Sequence, residues 1–136
     1  MLKITAKMEY GCVAMLELAA HYKTGNPVAI RAIGEKHDIP PRFLVQILAT
    51  LRDAGLVRSE RGAEGGYYLV APPDKISLDQ VMNVIQGRED DQLYCCSSPD
   101  SSFVQSLFDT WSTASQILQD YFKSTTLAEL LAKLAE

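Results

Sequence analysis

Leu44, Ile47, Leu48 and Leu51 recur at the spacing of a single helix face, directly behind Pro40 and Pro41 and ahead of Gly55. Proline suits the first turn of a helix and glycine the position just past its end, so the pattern predicts a helix from about Pro41 to Ala54. The stripe must face a core, which leaves Arg42, Val45, Gln46, Ala49 and Asp53 on the opposite side. A shorter helix is predicted in front of it, about Ile30 to His37, with Ile30 and Ile33 inward. Asp38 then makes the turn, because aspartate tolerates left-handed backbone better than most side chains. Gly34 fits a short helix packed closely on its neighbour.

The remaining chain can be placed around this pair. Thr5 can cap a first helix reaching about Tyr22, with Val13, Leu16 and Ala20 on one side and Gly25-Asn26-Pro27 as its stop. After Gly55, two β-type runs, Leu56 to Arg61 and Tyr67 to Val70, flank a glycine-rich tip and predict a hairpin. Ser77 with Gln80 marks a capping box for a fourth helix, closed by Gly87. Residues 88–102 are polar, acidic and aperiodic, a loop that carries Cys95 and Cys96. A long helix from about Phe103 to Lys123 follows, with Leu107, Trp111, Ala114, Leu118 and Tyr121 at alternating spacings of three and four. Thr126 with Glu129 caps a last helix from Leu127 to about Ala135. The expected fold is mainly α with a small β-hairpin wing. Three units are expected: a winged helix-turn-helix over 1–87, a cysteine-bearing loop over 88–102, and a dimerisation helix with a C-terminal helix over 103–136.

Charge separates the two ends. Residues 1–62 hold nine Lys/Arg and six Asp/Glu, whereas residues 63–136 hold four and eleven, so a net charge of −4 conceals a basic front and an acidic rear. A helix fits the major groove of DNA, and a hairpin beside it reaches backbone or minor groove. Arg42 and Gln46 are therefore candidates for base edges, and Arg58 and Arg61 for the backbone or minor groove, while Val45 either touches a thymine methyl or is neutral. Arg31, Pro41, Arg52, Gly65 and Gly66 complete the expected contact set on double-stranded DNA. No phosphate loop, paired-histidine metal motif or nucleophile elbow argues for an enzyme. The absence of a long apolar run or signal-like leader makes a cytoplasmic chain, with no membrane partner, the expectation.

Several stretches together resemble the bacterial IscR/NsrR/CymR-type regulators: Ile4-Thr5-Ala6-Lys7 with Tyr10, Phe43 through Leu48, and Leu51 through Val57. Ser59-Glu60-Arg61-Gly62 with Gly65-Gly66-Tyr67 is the most specific of them, and Ile76-Ser77-Leu78 and Thr126 through Leu130 extend the likeness over nearly the whole chain. The resemblance implies a homodimer whose long helices cross and whose winged units sit on adjacent half-sites. It also implies that many members sense iron, nitric oxide or redox state through an iron–sulfur cluster held by loop cysteines before that helix. This chain departs from the pattern, having two adjacent loop cysteines where relatives have three spaced ones. A complete site then needs other donors, and Cys12 with Glu9, three apart on the first helix, are the candidates, favouring a 2Fe–2S centre. Cys12 equally reads as a small buried hydrophobe, and Glu9, His21 and His37 as ordinary helix-surface residues. The rival reading keeps DNA binding and replaces the cluster with oxidation of Cys95 and Cys96, or with control by a partner protein.

Overall fold

The computed structural model describes residues 3–62, 65–87 and 100–134. Its first helix, α1 (Ala6–Ala20), starts at Thr5, whose Oγ1 accepts a hydrogen bond from the Met8 amide at 3.1 Å. This helix lies at the centre of the molecule, touching every later helix of the winged unit and one strand of its hairpin. The expected inner face of Val13, Leu16 and Ala20 is therefore corrected. Met8, Gly11, Ala14, Met15, Glu17, Leu18 and Ala19 are the buried positions, Val13 and Leu16 are half-buried, and Ala20 is exposed. A helix covered on several sides loses the single apolar stripe from which a face is read. It also ends at Ala20, and Tyr22–Thr24 forms a separate 3₁₀ turn.

The next two helices match their expected spans: α2 is Ile30–His37 and α3 is Pro41–Asp53. Asp38 between them has φ 55° and ψ 49°, the left-handed conformation its side chain tolerates. Gly34 is required for a reason other than helix-to-helix packing. A Cβ there would come within 2.8 Å of the Ile39 carbonyl oxygen, so the tight turn itself excludes a side chain. Leu44, Ile47, Leu48 and Leu51 are all buried, as their spacing predicts. Truncating one of them to alanine costs about 2–5 kcal/mol in a core of this kind.

Strands β1 (Val57–Glu60) and β2 (Gly66–Leu69) pair antiparallel, Val57 opposite Leu69 and Glu60 opposite Gly66. Val28, just ahead of α2, bridges to Tyr67 through two backbone hydrogen bonds of 2.8 and 2.9 Å and so ties the hairpin to the α2–α3 pair. Helix α4 (Leu78–Gln86) begins with the expected capping box: the Ser77 Oγ accepts from the Gln80 amide, and the Ser77 amide donates to Gln80 Oε1. Helix α5 (Ser102–Ser124) runs for 23 residues, none of them buried. The chain then returns: Leu127 opens α6 (Leu127–Leu134), is wholly buried in the main core, and donates its amide to the Ile76 carbonyl.

Candidate nucleic-acid interface

The stripe that buries one side of α3 exposes the other. Pro41 begins the helix, Arg42 and Gln46 are exposed one turn apart, and Val45 keeps 52% of its surface in solvent between them. Beside this face, β1 buries only Val57 and turns Arg58 outward, and Arg61 follows it, also exposed. Gly65 and Gly66 lie where the hairpin returns. A Cβ on Gly65 would strike the Glu60 carbonyl, and one on Gly66 the Val28 carbonyl, so Gly65 permits a close approach within the wing and Gly66 one between the wing and the segment ahead of α2.

The five arginines of the expected surface fall into two groups. Arg31 donates from Nε to Glu35 Oε1 at 2.9 Å, and Arg52 Nε lies 3.5 Å from Asp53 Oδ1. Among the described residues no hydrogen bond or ion pair engages Arg42, Arg58 or Arg61. Arg42 instead lies over a ring, its guanidinium carbon 5.0 Å from the Phe43 centroid.

Behind α2 sits a cluster that sequence reasoning missed. The Glu17 carboxylate, on α1 and only 8% exposed, accepts from Lys36 Nζ at 3.1 Å and meets His37 Nε2 at 2.8 Å. His21 Nδ1 bonds the Glu17 carbonyl oxygen at 2.9 Å. Burial alone would raise the Glu17 pKa, but the His37 and Lys36 hydrogen bonds outweigh it and hold the carboxyl below its ordinary value. His37 is thus a link between α1 and α2, not the plain surface residue its helix-end position suggests. A glutamate among Leu16, Leu18 and Ala19, with a Lys-His pair at the close of the next helix, was the available signal.

Of the four expected cluster donors, Cys95 and Cys96 lie outside the described residues. Glu9 is exposed on α1. Cys12 is half-buried against the core, and burial pushes its thiol up to about 11, so it stays protonated at neutral pH. Iron–sulfur ligation requires the thiolate, which burial disfavours at Cys12, and its half-buried place against the core is that of a small packed side chain. No group of three His, Cys, Asp or Glu among the described residues is arranged to hold a metal ion.

On α5, Leu107, Trp111, Ala114, Leu118 and Tyr121 are all exposed, as are Phe103 and Ile117 on the same side. Ile117 was overlooked in the sequence, although it stands three after Ala114 and four before Tyr121. No helix among the described residues is long and apolar enough to cross a membrane.

A helix-turn-helix with an exposed basic reading face, a β-hairpin wing and a trailing helix defines a winged-helix DNA-binding regulator. The chain belongs to the Rrf2 family: that family's model, described as an iron-dependent transcriptional regulator, matches residues 4–133. An HTH-type transcriptional regulator of Synechocystis, slr0846, is 37% identical over 135 residues, 95% of this chain and 87% of the relative. The structure of CymR (YrzC), the global cysteine regulator of B. subtilis, matches with a TM-score of 0.85 at 31% identity, covering 98% of each chain. That of T. potens IscR matches with a TM-score of 0.78 at 35% identity, over 99% of this chain and 89% of the other. The protein is a DNA-binding transcriptional regulator of this family.

Proposed function

We propose that the protein acts in the cytoplasm as a homodimer that reads a two-part operator with α3 and the wing. In this reading it responds to iron or redox state through an iron–sulfur cluster anchored by Cys95 and Cys96. The observation that carries the DNA reading is the exposed side of α3, where Arg42, Val45 and Gln46 stand opposite the fully buried stripe. The wing arginines Arg58 and Arg61 are exposed beside it, with Arg31 and Arg52 at its margins, and Pro41, Gly65 and Gly66 shape the backbone that presents them. Dimerisation is supported by α5, which fully buries none of its residues within one chain and leaves a tryptophan 47% exposed. An apolar face of that size is stable in water only when covered.

The iron half of the proposal is supported by the family description and by two cysteines in a polar stretch of the sequence, where an apolar neighbourhood gives no reason for them. A specific observation also favours the second reading. Cys12 is packed against the core, Glu9 is exposed, and among the described residues no group of three His, Cys, Asp or Glu is arranged to hold a metal ion. Oxidation of Cys95 and Cys96, or a partner protein, then takes the cluster's place. Iron and sulfide content with visible absorbance decides between them, measured anaerobically in the wild type and in C12S, C95S and C96S. A coloured wild type that loses its iron in C95S and C96S supports the cluster. A colourless, iron-free protein after reconstitution rejects it.

A further inference from the structure

Besides Val45, an aromatic side chain interrupts the polar side of α3. Phe43 is 38% exposed, on the same helical turn as Arg42 and Val45. The Tyr10 ring of α1 lies against its ring, with centroids 5.8 Å apart and planes inclined at 41°, and the Arg42 guanidinium carbon lies over it, 5.0 Å from the centroid. Three side chains therefore stand in series, from the central helix to the first turn of the recognition helix.

The series solves a problem posed by any arginine that reads a base. Its long side chain explores many rotamers in water, and each must be given up when the guanidinium is fixed in the groove. A carboxylate neighbour would fix it but would occupy its donors, as Glu35 does for Arg31. An aromatic face attracts the cation without accepting a hydrogen bond from it, so all five N–H donors remain available for the O6 and N7 acceptors of guanine.

We propose that Phe43 is a positioning residue for base readout: it holds the Arg42 guanidinium ready over the exposed side of α3, and Tyr10 holds Phe43. This rests on the reading of Arg42 as a base-contacting residue. A cation over a ring at an exposed site corresponds to about a two- to fivefold change in population, and that is the size of the expected effect.

The test uses the full-length protein and duplexes that the wild type selects from a randomised pool. Arg42→Ala first locates the base pair whose discrimination depends on Arg42. At that pair Phe43→Leu is expected to lower discrimination about two- to fivefold, with the salt dependence of binding unchanged. Phe43→Tyr retains the wild-type value, and adding Phe43→Leu to Arg42→Ala causes no further loss. In the DNA-free protein, the Arg42 side-chain protons carry ring-current shifts that disappear in Phe43→Leu.

An equal loss from Phe43→Leu in both backgrounds overturns the proposal, because Phe43 then touches the base itself. An even loss on all duplexes overturns it too, assigning Phe43 to the fold alone. If Arg42→Ala keeps every base preference, the assigned reading face falls and the positioning role with it. The proton shifts separate that failure from the absence of the stack.

Discussion

The attachment of the wing to the reading helices is testable at one atom. A Cβ on Gly66 would sit on the Val28 carbonyl group and 2.8 Å from the Ala29 nitrogen, both backbone, so no flexible side chain can give way. Gly66→Ala must therefore push β2 off Val28, and the two backbone hydrogen bonds between Val28 and Tyr67 are the first to go. Each contributes about 0.5–1.5 kcal/mol net, giving an expected loss of roughly 1–3 kcal/mol. At this chain length that lowers Tm by roughly 3–15 °C, measured at one fixed protein concentration because the Tm of the proposed dimer would depend on it. Gly62→Ala is the contrasting variant: its φ of 123° strains a side chain, but nothing lies within 4 Å of the added carbon. Hydrogen exchange at the Tyr67 amide should accelerate in Gly66→Ala and stay slow in Gly62→Ala. A Gly66→Ala protein with unchanged Tm and a protected Tyr67 amide would refute the close approach as the reason for glycine.

Gln46→Ala is expected to relax preference at one base pair by about 1–3 kcal/mol, read from competition between duplexes; an unchanged preference removes Gln46 from the reading face. Changing Trp111 and Leu118 together to Asp should give monomers in sedimentation and weaker operator binding, since two half-sites are no longer held together; a persisting dimer rejects α5 as the interface. Glu17→Gln tests the link between α1 and α2. The folded-state pKa of Glu17 is lowered, so its contribution is complete above the ordinary carboxylate range and lost as pH falls through the folded value. The variant should lose about 1–3 kcal/mol at neutral pH and show a shallower acid limb in denaturation curves. Parallel acid limbs for the two proteins count against it.

The parts of the fold that were legible have one trait in common. Each element announces itself by a local rule: a stripe for α3, a left-handed aspartate for the turn, a capping box for α4, glycines and prolines for the hairpin. The face of α1 was not legible because a central helix is apolar on several sides, and periodicity carries information only where one side is wet. The Val28 bridge and the return of Leu127 to the core depend on partners 39 and 51 residues away, Tyr67 and Ile76, and no local pattern encodes such pairings. At the site, residue type revealed which side of α3 is exposed, but the meaning of Phe43 required Tyr10, which lies 33 positions earlier. Glu17 was hidden for the same reason. A buried carboxylate is explained by what it touches, and Lys36 and His37 belong to another helix.

The same distinction between residue type and partner bears on how a chain of net charge −4 holds a polyanion. Counterion release depends on the phosphates a protein neutralises, with a slope of log K against log salt of about −0.9 per phosphate. By residue type, Arg31, Arg52, Arg58 and Arg61 all qualify as phosphate contacts, eight charges in a dimer, for a slope of about −7. The structure divides them. Arg31 and Arg52 arrive beside Glu35 and Asp53, and each carboxylate repels the phosphate its arginine would meet. Such exposed pairs are weak, about 0.2–1 kcal/mol, so DNA can displace them, but the negative charge remains at the surface. Arg58 and Arg61 carry no such partner among the described residues. Four effective contacts per dimer give a slope of about −4, and Arg58→Ala should flatten it by about two units. Titration of one duplex between 50 and 200 mM salt, roughly the range over which such slopes are read, measures both. A slope near −7, or one that Arg58→Ala leaves unchanged, would show that the local carboxylates do not set which arginines hold the backbone.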